Sequence, residues 1–379
     1  MNSSKITDNL FGRIVRYLIP CKDDKPGEII RKIVFLTATV ALIAAVCILL
    51  IGTAQRERAI KQKQEQQLAE QLRHAESIRN SVQVIQVKNA VPTVLLGSTV
   101  SSDETSEESE FEPEENTEPE YFDLTPVVNT PLNVNFDYLK SLNPDTRAWI
   151  KITGTLLNSE VLQSTYDFDY YIDHDFYGNY NEYSPCIFSS DINRWDGSDD
   201  NLILFSHKLT SGYGFGSVVY YVPNDGSSEP LAFYKKHPTI LFQQPGGQSE
   251  TYKIFAGIVA NTDPQYGEVF EYISKIYFYG KDDFNIYMTE IMDRSWFYTD
   301  VDLQYGDKFL TLSTCYWPIN RSIPTRWVLF ARKVRPGESE YVDTSVAQRN
   351  YNPRLFEYYY QVFGGQWYGS NWDRSKLLS

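Results

Sequence analysis

The sequence has few cysteines and no excess of basic residues, and both shortages exclude whole classes of protein. Only four cysteines occur in 379 residues, which is too few for a disulfide framework in a chain of this length. Any cysteine with a function therefore acts as a thiol. The 35 Lys and Arg residues are outnumbered by 49 Asp and Glu residues, and no stretch has the clustered basic residues that displace counterions from phosphates. The composition therefore excludes a nucleic-acid partner.

The acidic residues are concentrated in one segment. Residues 101–121 contain ten Asp and Glu residues and no Lys or Arg, which leaves 39 acidic against 35 basic residues elsewhere. The same segment is rich in Ser and Pro, and this self-repelling composition predicts an extended, disordered tether, which we place at 101–130. With 42% hydrophobic and 15% aromatic residues, the chain as a whole is too apolar for a disordered protein.

One long apolar run occurs near the N-terminus. Residues 33–52 contain no charged residue, and about twenty such residues are needed for a helix to cross the ~30 Å hydrocarbon core of a bilayer. Because 32 residues precede the run, a retained anchor is favoured over a cleaved signal peptide. Within twenty residues of the run, six Lys and Arg residues lie on its N-terminal side and four on its C-terminal side, which favours a cytoplasmic N-terminus. We predict a cytoplasmic segment at 1–32, a transmembrane helix at 33–53 and a single-pass cell-membrane protein whose later residues are extracellular.

The rest of the chain divides into a spacer, a globular domain and a tail. Residues 54–80 are rich in Gln, Glu, Lys, Arg and Ala and lack Gly and Pro, which predicts a helical spacer within 54–100. Its apolar spacing resembles a coiled-coil seam over too few heptads, so a lone helix is favoured. We predict one globular domain at 131–336 and an aromatic-rich C-terminal extension at 337–379. The aromatic residues of the extension either pack on the domain, which we favour, or stack on carbohydrate or peptide.

The globular domain is predicted to be mainly β. Residues 134–150 favour a short helix followed by a turn at Asn143-Pro144-Asp145. Residues 282–296 repeat apolar residues at i, i+3, i+4 and i+7 after two Asp residues, which predicts an inserted helix. Short β-rich runs separated by Gly, Asn, Asp and Pro are typical of an antiparallel sandwich or barrel. These runs are 202–205, 218–222, 239–242, 252–260, 309–314 and 326–334.

Cys315 is the cysteine most suited to chemistry. It ends the strand-like run 309–315, and a second run begins at Arg326 after ten intervening residues. If the two runs pair as an antiparallel hairpin, Cys315 and Arg326 lie at the same end of the sheet. A neighbouring guanidinium favours the thiolate, which is the nucleophilic form of cysteine. The alternative is that Cys315 is an inert core residue, which is the commoner role of a strand cysteine.

Four histidines are available as general acids or bases. His207 follows the apolar run 202–205, so it too lies where a strand meets a loop, and imidazole titrates near working pH. His74, in the spacer, is interpreted as solvated. His174 and His237 are interpreted as structural groups with satisfied hydrogen bonds.

These residues together resemble a known family. The chain resembles a sortase in four features. These are the sequence Leu312-Ser313-Thr314-Cys315, Arg326 at the start of a Val- and Leu-rich strand, His207 just over a hundred residues upstream of Cys315, and a membrane segment at the N-terminus. Residues 136–145, 149–152 and 170–176 and the helix inserted before the strand of Cys315 are similar to class B more narrowly. The resemblance covers about residues 133–335 and leaves out the spacer, the tether and the aromatic tail.

The resemblance implies a closed sortase-type β-barrel, with an N-terminal helix leading into it and one inserted helix, that acts as a cysteine transpeptidase. Cys315 would cleave a sorting-signal peptide through an acyl-enzyme thioester, which an amine of the cell wall or of a pilus subunit then resolves. His207 would protonate the leaving amine and deprotonate the incoming one. Arg326 would hold the substrate carbonyl and the oxyanion. The bond energy is retained, so no nucleotide is needed and neither a cofactor nor a metal is implied.

The resemblance also implies substrate-binding residues. The segment before the inserted helix lines the peptide groove in class B relatives, which points to Tyr272 and Ile273. Strand alternation places Ser313, two residues before Cys315, on the same groove, and for all three residues ordinary barrel packing is an alternative.

Three local features depart from the family pattern. Ser206 stands before His207 where the family commonly has Gly, and the bulky Tyr316-Trp317-Pro318 follows Cys315 where relatives are often polar or acidic. Arg321 lies in the same loop as Arg326, and we favour Arg326 as the functional arginine because it opens the strand.

Two other functions remain open on the sequence. A non-catalytic, membrane-anchored surface scaffold or adhesin could keep the same barrel, and it would be favoured if Cys315 were buried or the tail covered the groove. A thiol peptidase of the same geometry is the other alternative. It would give hydrolysis alone, even when an amine acceptor is supplied.

Overall fold

The computed structural model describes residues 20, 24–40, 42, 44, 123–223 and 228–378. The chain divides into two compact units, Met1–Ser101 and Ser102–Ser379. In the first unit, residues 26–40 are helical. Nowhere in the described part of the chain is a helix both long and apolar enough to cross a membrane. Most of the predicted transmembrane helix (41, 43 and 45–53), the spacer at 54–100 and residues 101–122 of the tether lie outside the described residues.

The second unit is built on a closed barrel of eight strands, as the mainly β prediction requires. The strand order around the barrel is β1-β2-β3-β4-β9-β10-β6-β5. Its members are β1 (Thr146–Lys151), β2 (Asn158–Leu162), β3 (Ile187–Ser189), β4 (Asn201–Phe205), β5 (Thr239–Gln243), β6 (Glu250–Asn261), β9 (Phe309–Cys315) and β10 (Thr325–Lys333). Two short sheets lie outside the barrel and pair β11 (Gln348–Arg349) with β7 (Phe297–Tyr298) and β12 (Leu377–Leu378) with β8 (Leu303–Gln304).

Two apolar clusters cover the two faces of the barrel strands. Leu310 and Leu312 of β9 belong to a cluster with residues from strands all around the barrel, which fills the interior. Phe309 on the same strand, together with Val328 and Phe330 of β10, belongs to a second cluster outside the barrel. Because both faces are apolar, these central strands appear in the sequence as continuous apolar runs.

Among the described residues of the second unit, four α-helices accompany the strands: α1 (Phe136–Leu142), α2 (Ala232–Lys236), α3 (Lys281–Arg294) and α4 (Glu357–Phe363). The predicted first helix is α1, and the Asn135 side chain caps it by accepting a 3.0 Å hydrogen bond from the Tyr138 backbone N–H. The predicted inserted helix is α3, whose apolar stripe covers the outer face of the barrel. Asp282 and Asp283 lie in its first turn, where the helix dipole favours negative charge.

The purely antiparallel barrel that the sequence favoured is wrong in two places. Strand β2 pairs parallel with β3, and β4 pairs parallel with β9. The long connection between β4 and β9, which carries β5, β6 and α3, lets the chain return in the same direction. Strands β1, β2 and β3 have no counterpart among the predicted runs.

The predicted strand at 218–222 is also wrong, because this segment is a 3₁₀ helix over Ser217–Tyr221. Val218 and Tyr221 are buried whereas Tyr220 is 40% exposed, so burial recurs every three residues. The Val218 N–H donates to the Phe215 carbonyl within the same turn. A short apolar run does not by its composition distinguish a buried helical turn from a strand.

Within the described residues of the second unit, the segments at 123–130 and 337–378 both contact the rest of the fold. Residues 123–130, which the sequence assigns to the tether, already do so: the Val127 N–H donates to the Lys236 carbonyl, and the Asn129 side chain donates to Thr239. In the C-terminal extension, β11 and β12 pair with β7 and β8. Phe356 and Trp372 of the extension are buried in the two apolar clusters, so its aromatic residues pack on the fold in part.

A buried ion-pair network ties the end of β10 to the start of the C-terminal extension. The fully buried Arg332 donates two hydrogen bonds of 2.6 and 2.7 Å to the two carboxylate oxygens of Glu338. Lys253 on β6 donates a third, of 2.7 Å, to the same carboxylate. The hydrogen bonds from Arg332 lower the pKa of Glu338 well below its ordinary value.

Replacing Glu338 with Gln should destabilise the fold by about 2 kcal/mol at pH 7. This value is below the ~3–5 kcal/mol of a fully buried pair because Glu338 keeps 21% of its side chain exposed. Since the folded-state pKa is lowered, the stabilisation is fully present above the ordinary glutamate pKa and is lost as pH falls toward the folded value. Urea unfolding at several pH values should show a weaker acid dependence for Glu338→Gln. The control Glu340→Gln, at an exposed position, should match the wild type, and equal stability of both variants would contradict the prediction.

Candidate active site

Three neighbouring strands bring the predicted catalytic residues to one end of the barrel. Strands β4, β9 and β10 lie side by side. Cys315 is the last residue of β9, Arg326 is the second residue of β10, and His207 follows the end of β4 by two residues. The register pairs Phe205 with Ser313, so the parallel direction of β4 and β9 carries His207 toward the level of Cys315.

The predicted hairpin between β9 and β10 is present, and its register pairs Cys315 directly with Arg326. Directly opposed residues of an antiparallel pair point to the same face, with Cβ atoms about 5 Å apart. Cys315 is partly exposed, unlike the free thiol of Cys186, which is 2% exposed. Burial raises the pKa of Cys186 well above its ordinary value. Of the two, Cys315 is the thiol that is accessible from solvent.

The residues before the histidine and the cysteine are fixed to each other. The Thr314 hydroxyl donates a 2.9 Å hydrogen bond to the Ser206 carbonyl, and the Ser206 hydroxyl donates a 2.9 Å hydrogen bond to the Cys186 carbonyl. These bonds hold the end of β4 against β9. Ser206, which departs from the family pattern, therefore has a structural role as a link between β4 and the residues before β3.

The backbone and the imidazole of His207 are both held. The Phe215 N–H donates 3.0 Å to the His207 carbonyl. Gly214 makes this approach possible, because a Cβ there would lie 2.6 Å from the Ser206 hydroxyl and its φ of +56° disfavours other residues. The His207 Nε2 atom lies 2.6 Å from the Ile172 carbonyl oxygen, so Nε2 carries a proton and donates. In the neutral ring, Nδ1 is then the basic nitrogen.

The strand register distinguishes Arg326 from Arg321, the two arginines near Cys315. Arg326 lies on β10 opposite Cys315 and is partly exposed, and its Nη1 donates a 3.2 Å hydrogen bond to the Thr325 carbonyl. Arg321 is exposed in the loop, and its guanidinium carbon lies 5.4 Å from the centre of the Trp317 ring. Only Arg326 has a backbone position that opposes the thiol.

The three predicted substrate residues differ in exposure. The Tyr272 and Ser313 hydroxyls share a 2.7 Å hydrogen bond, and both residues are buried. Burial raises the pKa of Tyr272 above its ordinary value. Ile273 is 48% exposed. Tyr272 therefore packs over the strand that ends at Cys315, while the Ile273 side chain is half exposed.

The described histidines other than His207 have structural partners. His237 is buried, its Nδ1 lies 2.9 Å from the Thr153 carbonyl oxygen, and burial lowers its pKa. The His174 ring stacks on Tyr170 with ring centres 4.1 Å apart. His74 lies outside the described residues. Among the described residues, no group of three or more His, Cys, Asp or Glu side chains could hold a metal ion.

Sequence reasoning missed Lys208, which follows His207. Its ammonium lies 5.6 Å from the ring centre of Tyr316 and 5.7 Å from that of Trp317, the two residues after Cys315. Burial lowers the pKa of Lys208, and the neighbouring Arg321 lowers it further. The position of a basic residue directly after the candidate histidine was the available signal in the sequence.

Sequence reasoning also missed a brace between the C-terminal extension and the segment that leads to Tyr272. Arg354 donates a 2.8 Å hydrogen bond to Glu268 and a 3.0 Å hydrogen bond to Glu290 of α3. Arg294 donates to the same two carboxylates at 2.7 and 2.6 Å. The Glu357 carboxylate accepts a 2.6 Å hydrogen bond from the Glu268 N–H. The extension therefore fixes the chain four residues before Tyr272.

Comparison with known proteins gives two curated relatives, both named sortase B. The protein from Listeria monocytogenes is 29% identical over 177 residues, which cover 47% of this chain and 65% of the relative. The protein from Staphylococcus aureus is 27% identical over 180 residues, which cover 48% of this chain and 67% of the relative. The match thus spans about two thirds of the length of each relative. No protein-family model matches the chain.

Solved structures of sortase B are also similar to this chain. The structure from Clostridium perfringens has 26% identity and a TM-score of 0.45, and the match covers 53% of this chain and all of that one, 100%. A complex of Staphylococcus aureus sortase B with substrate has 26% identity and a TM-score of 0.44 and covers 53% of this chain and 84% of that one. The curated relatives confirm the resemblance that the sequence motifs indicated, so this chain is a homologue of the class B sortases.

Proposed function

We propose that this chain is a cysteine transpeptidase of the sortase type, which cleaves a sorting-signal peptide and transfers its acyl part to an amine. The observation that carries the proposal is the pairing of Cys315 with Arg326 on adjacent strands, next to the strand end that bears His207. A partly exposed thiol, a guanidinium and an imidazole at one strand end are the groups that acyl transfer through a thioester needs. The curated sortase B relatives support the same activity.

The first half-reaction forms the acyl-enzyme. The Cys315 thiolate attacks the carbonyl carbon of the scissile amide, and the carbonyl oxygen gains negative charge. Arg326 donates hydrogen bonds to that oxygen, where one well-placed donor contributes about 3 kcal/mol to transition-state stabilisation. Protonated His207 gives its proton to the leaving nitrogen as the carbon–nitrogen bond breaks. The products are a thioester on Cys315, a free amine on the leaving peptide and a neutral imidazole.

The second half-reaction reverses these roles on a new amine. Neutral His207 removes a proton from the incoming amine as its nitrogen attacks the thioester carbon. Arg326 again holds the oxyanion, and the carbon–sulfur bond breaks to return the thiolate and the protonated imidazole. One amide bond is broken and one is formed, so the chemistry uses no nucleotide.

The partners and the location of the protein belong to this proposal. The acceptor is an amine of a cell-wall precursor or of a pilus subunit, and the donor is the sorting signal of a secreted protein. The uncharged residues 33–52 serve as a single-pass anchor of the length that a bilayer requires. The barrel would then act outside the cell, where such substrates pass.

The partial exposure of Cys315 favours this function over a non-catalytic scaffold, for which a buried thiol was expected. A direct test incubates the full chain with a library of fluorogenic sorting peptides, with and without an amine acceptor such as diglycine. We expect cleavage in both cases and a peptide–diglycine product, identified by mass, only with the acceptor. Hydrolysis alone would favour the thiol peptidase, and no cleavage of any peptide would favour the scaffold.

The brace formed by Arg354 should set peptide affinity. Replacing Arg354 with Ala removes two hydrogen bonds that hold Glu268 and Glu290, and the segment before Tyr272 gains freedom. We expect the KM for the peptide to rise about fivefold with kcat within twofold of the wild type, corresponding to ~1 kcal/mol of lost positioning. The matched control is Lys376→Ala, which breaks another ion pair of the C-terminal extension, with Asp300. An unchanged KM for Arg354→Ala, or an equal rise in the control, would contradict the prediction.

A further inference from the structure

Two cations share one aromatic ring next to the candidate nucleophile. The Lys208 ammonium lies 5.7 Å and the Arg321 guanidinium carbon 5.4 Å from the ring centre of Trp317. Lys208 also lies 5.6 Å from the ring centre of Tyr316. The backbone of Lys208 is fixed by a bridge to Gly214. We call Lys208, Arg321 and Trp317 the cation cluster.

The cation cluster differs from four of the other cation–aromatic contacts in the described part of the chain. Four other cations that lie over an aromatic ring also pair with a carboxylate within 3.1 Å: Arg194, Lys275, Arg294 and Arg354. Within the described ranges, no carboxylate lies in ion-pair distance of Lys208 or Arg321. No carboxylate of the described part of the chain therefore neutralises this cluster, and the one anionic neighbour that acts on Lys208 is the Cys315 thiolate, which raises the pKa of Lys208 in opposition to burial and Arg321.

Such an arrangement has an electrostatic cost that an anion would remove. Two like charges beside each other repel, and the aromatic face offsets this by only about 0.5–2 kcal/mol. The lowered pKa of Lys208, caused by burial and by Arg321, reports the same unfavourable environment. A carboxylate between the two cations would accept charge-assisted hydrogen bonds from both.

The position of the cluster determines which part of a substrate it can meet. Lys208 follows His207, and Trp317 lies two residues beyond Cys315, in the loop past the end of β9. Ser313 lies on the other side of Cys315, back along β9, and the Tyr272 hydroxyl is hydrogen-bonded to it there. A peptide whose acyl part lies over that side must send its leaving part toward the cluster. The incoming amine enters where the leaving amine departs, so it meets the same cations.

We propose that Lys208 and Arg321, held by Trp317, form a binding site for a carboxylate on the leaving-group side of the scissile bond. The inference rests on the proposed transpeptidase function and adds a substrate class to it. The carboxylate belongs either to an acidic residue of the leaving peptide or to the amine acceptor, and both occupy this side of Cys315 in successive half-reactions.

The test uses two matched pairs of substrates with the full chain. In the first pair, a cleaved fluorogenic peptide carries Asp or Asn in the second residue after the scissile bond. In the second pair, the acceptor is glycyl-aspartate amide or glycyl-asparagine amide, used with one constant peptide. We expect the wild type to favour the acidic member of at least one pair about tenfold in kcat/KM. A preference in the first pair only identifies the leaving peptide as the carboxylate source, and a preference in the second pair only identifies the acceptor.

The variants are Lys208→Gln, Arg321→Gln and the double variant. We expect each single change to reduce the preference and the double change to bring it below twofold, while Arg321→Glu should reverse it. Arg194→Gln is the control, because Arg194 also lies over an aromatic ring, Tyr277, but already pairs with Asp199. It should keep the wild-type preference.

Two results would overturn the inference. One is equal kcat/KM for the acidic and neutral members of both pairs in the wild type, and the other is an unchanged preference in the double variant. Formation of the peptide–acceptor product with the neutral acceptor, lost in Cys315→Ala, would show that the transpeptidase function stands in either case. Loss of all turnover in the wild type would instead remove the proposed function itself.

Discussion

Replacing Cys315 with Ala abolishes both peptide cleavage and acyl transfer, with an expected loss of at least about 10⁴-fold in kcat. The alanine leaves Arg326 and His207 in place but removes the sulfur that forms the thioester. General acid catalysis and oxyanion stabilisation then have no covalent intermediate to act on. The measurement is single-turnover cleavage of a fluorogenic peptide, with mass spectrometry of the protein to detect an acyl-enzyme in the wild type and its absence in the variant.

Cys186 supplies the matched control for this experiment. Its side chain is 2% exposed, and burial raises the pKa of its thiol, so it is a packed apolar group. Cys186→Ala should keep activity within about twofold and cost about 1 kcal/mol of stability through the lost volume. In the folded wild type, iodoacetamide should modify Cys315 and leave Cys186 intact, as peptide mapping can show.

The outcomes separate the possible roles of the two thiols. Residual transfer above one per cent of the wild-type rate in Cys315→Ala would remove Cys315 from the mechanism. Modification of Cys186 at the same rate as Cys315 would show that burial does not protect it. Either result would contradict the assignment of the nucleophile.

Replacing Arg326 with Lys should lower kcat about 100-fold while the KM for the peptide changes by less than about threefold. Both side chains are cationic, so the long-range field at Cys315 is retained. A point ammonium does not reproduce the planar, two-pronged donor of arginine, and its hydrogen bonds to an oxyanion are lost or displaced. Because these bonds are strongest in the transition state, the effect falls on kcat, with ~2.7 kcal/mol as the corresponding free energy.

The control for a general Arg-to-Lys effect is Arg374→Lys, at an exposed position in the C-terminal extension. Steady-state kinetics of both variants with the same peptide and acceptor measure the difference. Wild-type kcat in Arg326→Lys would eliminate the guanidinium as the oxyanion donor. A rise in KM with unchanged kcat would show that Arg326 binds the ground state and the transition state equally.

The local part of the fold could be predicted because it depends on short-range patterns. The apolar repeat of α3 and the strand runs of β4, β5, β6, β9 and β10 are legible in the sequence, since burial of one face imposes a period. The strand prediction for 218–222 was wrong, because a buried 3₁₀ turn and a buried strand share the same apolar composition. The parallel pairing of β4 with β9 was also not predicted, because strands that pair across a long sequence separation leave no local signal in the sequence.

For the site, the sequence by itself determined only that ten residues separate Cys315 from Arg326. The antiparallel hairpin predicted for these two strands is present in the structure and pairs the two residues directly. Only the tertiary structure decided that the strand leading to His207 lies beside the strand of Cys315, that Cys315 is partly exposed while Cys186 is buried, and that Lys208 and Arg321 share the Trp317 ring. These facts depend on contacts between segments about a hundred residues apart and on which face each strand buries. Closure of the whole barrel fixes these long-range contacts and the buried face of each strand. The free energy of packing is a sum over the entire core and is not encoded in any one segment.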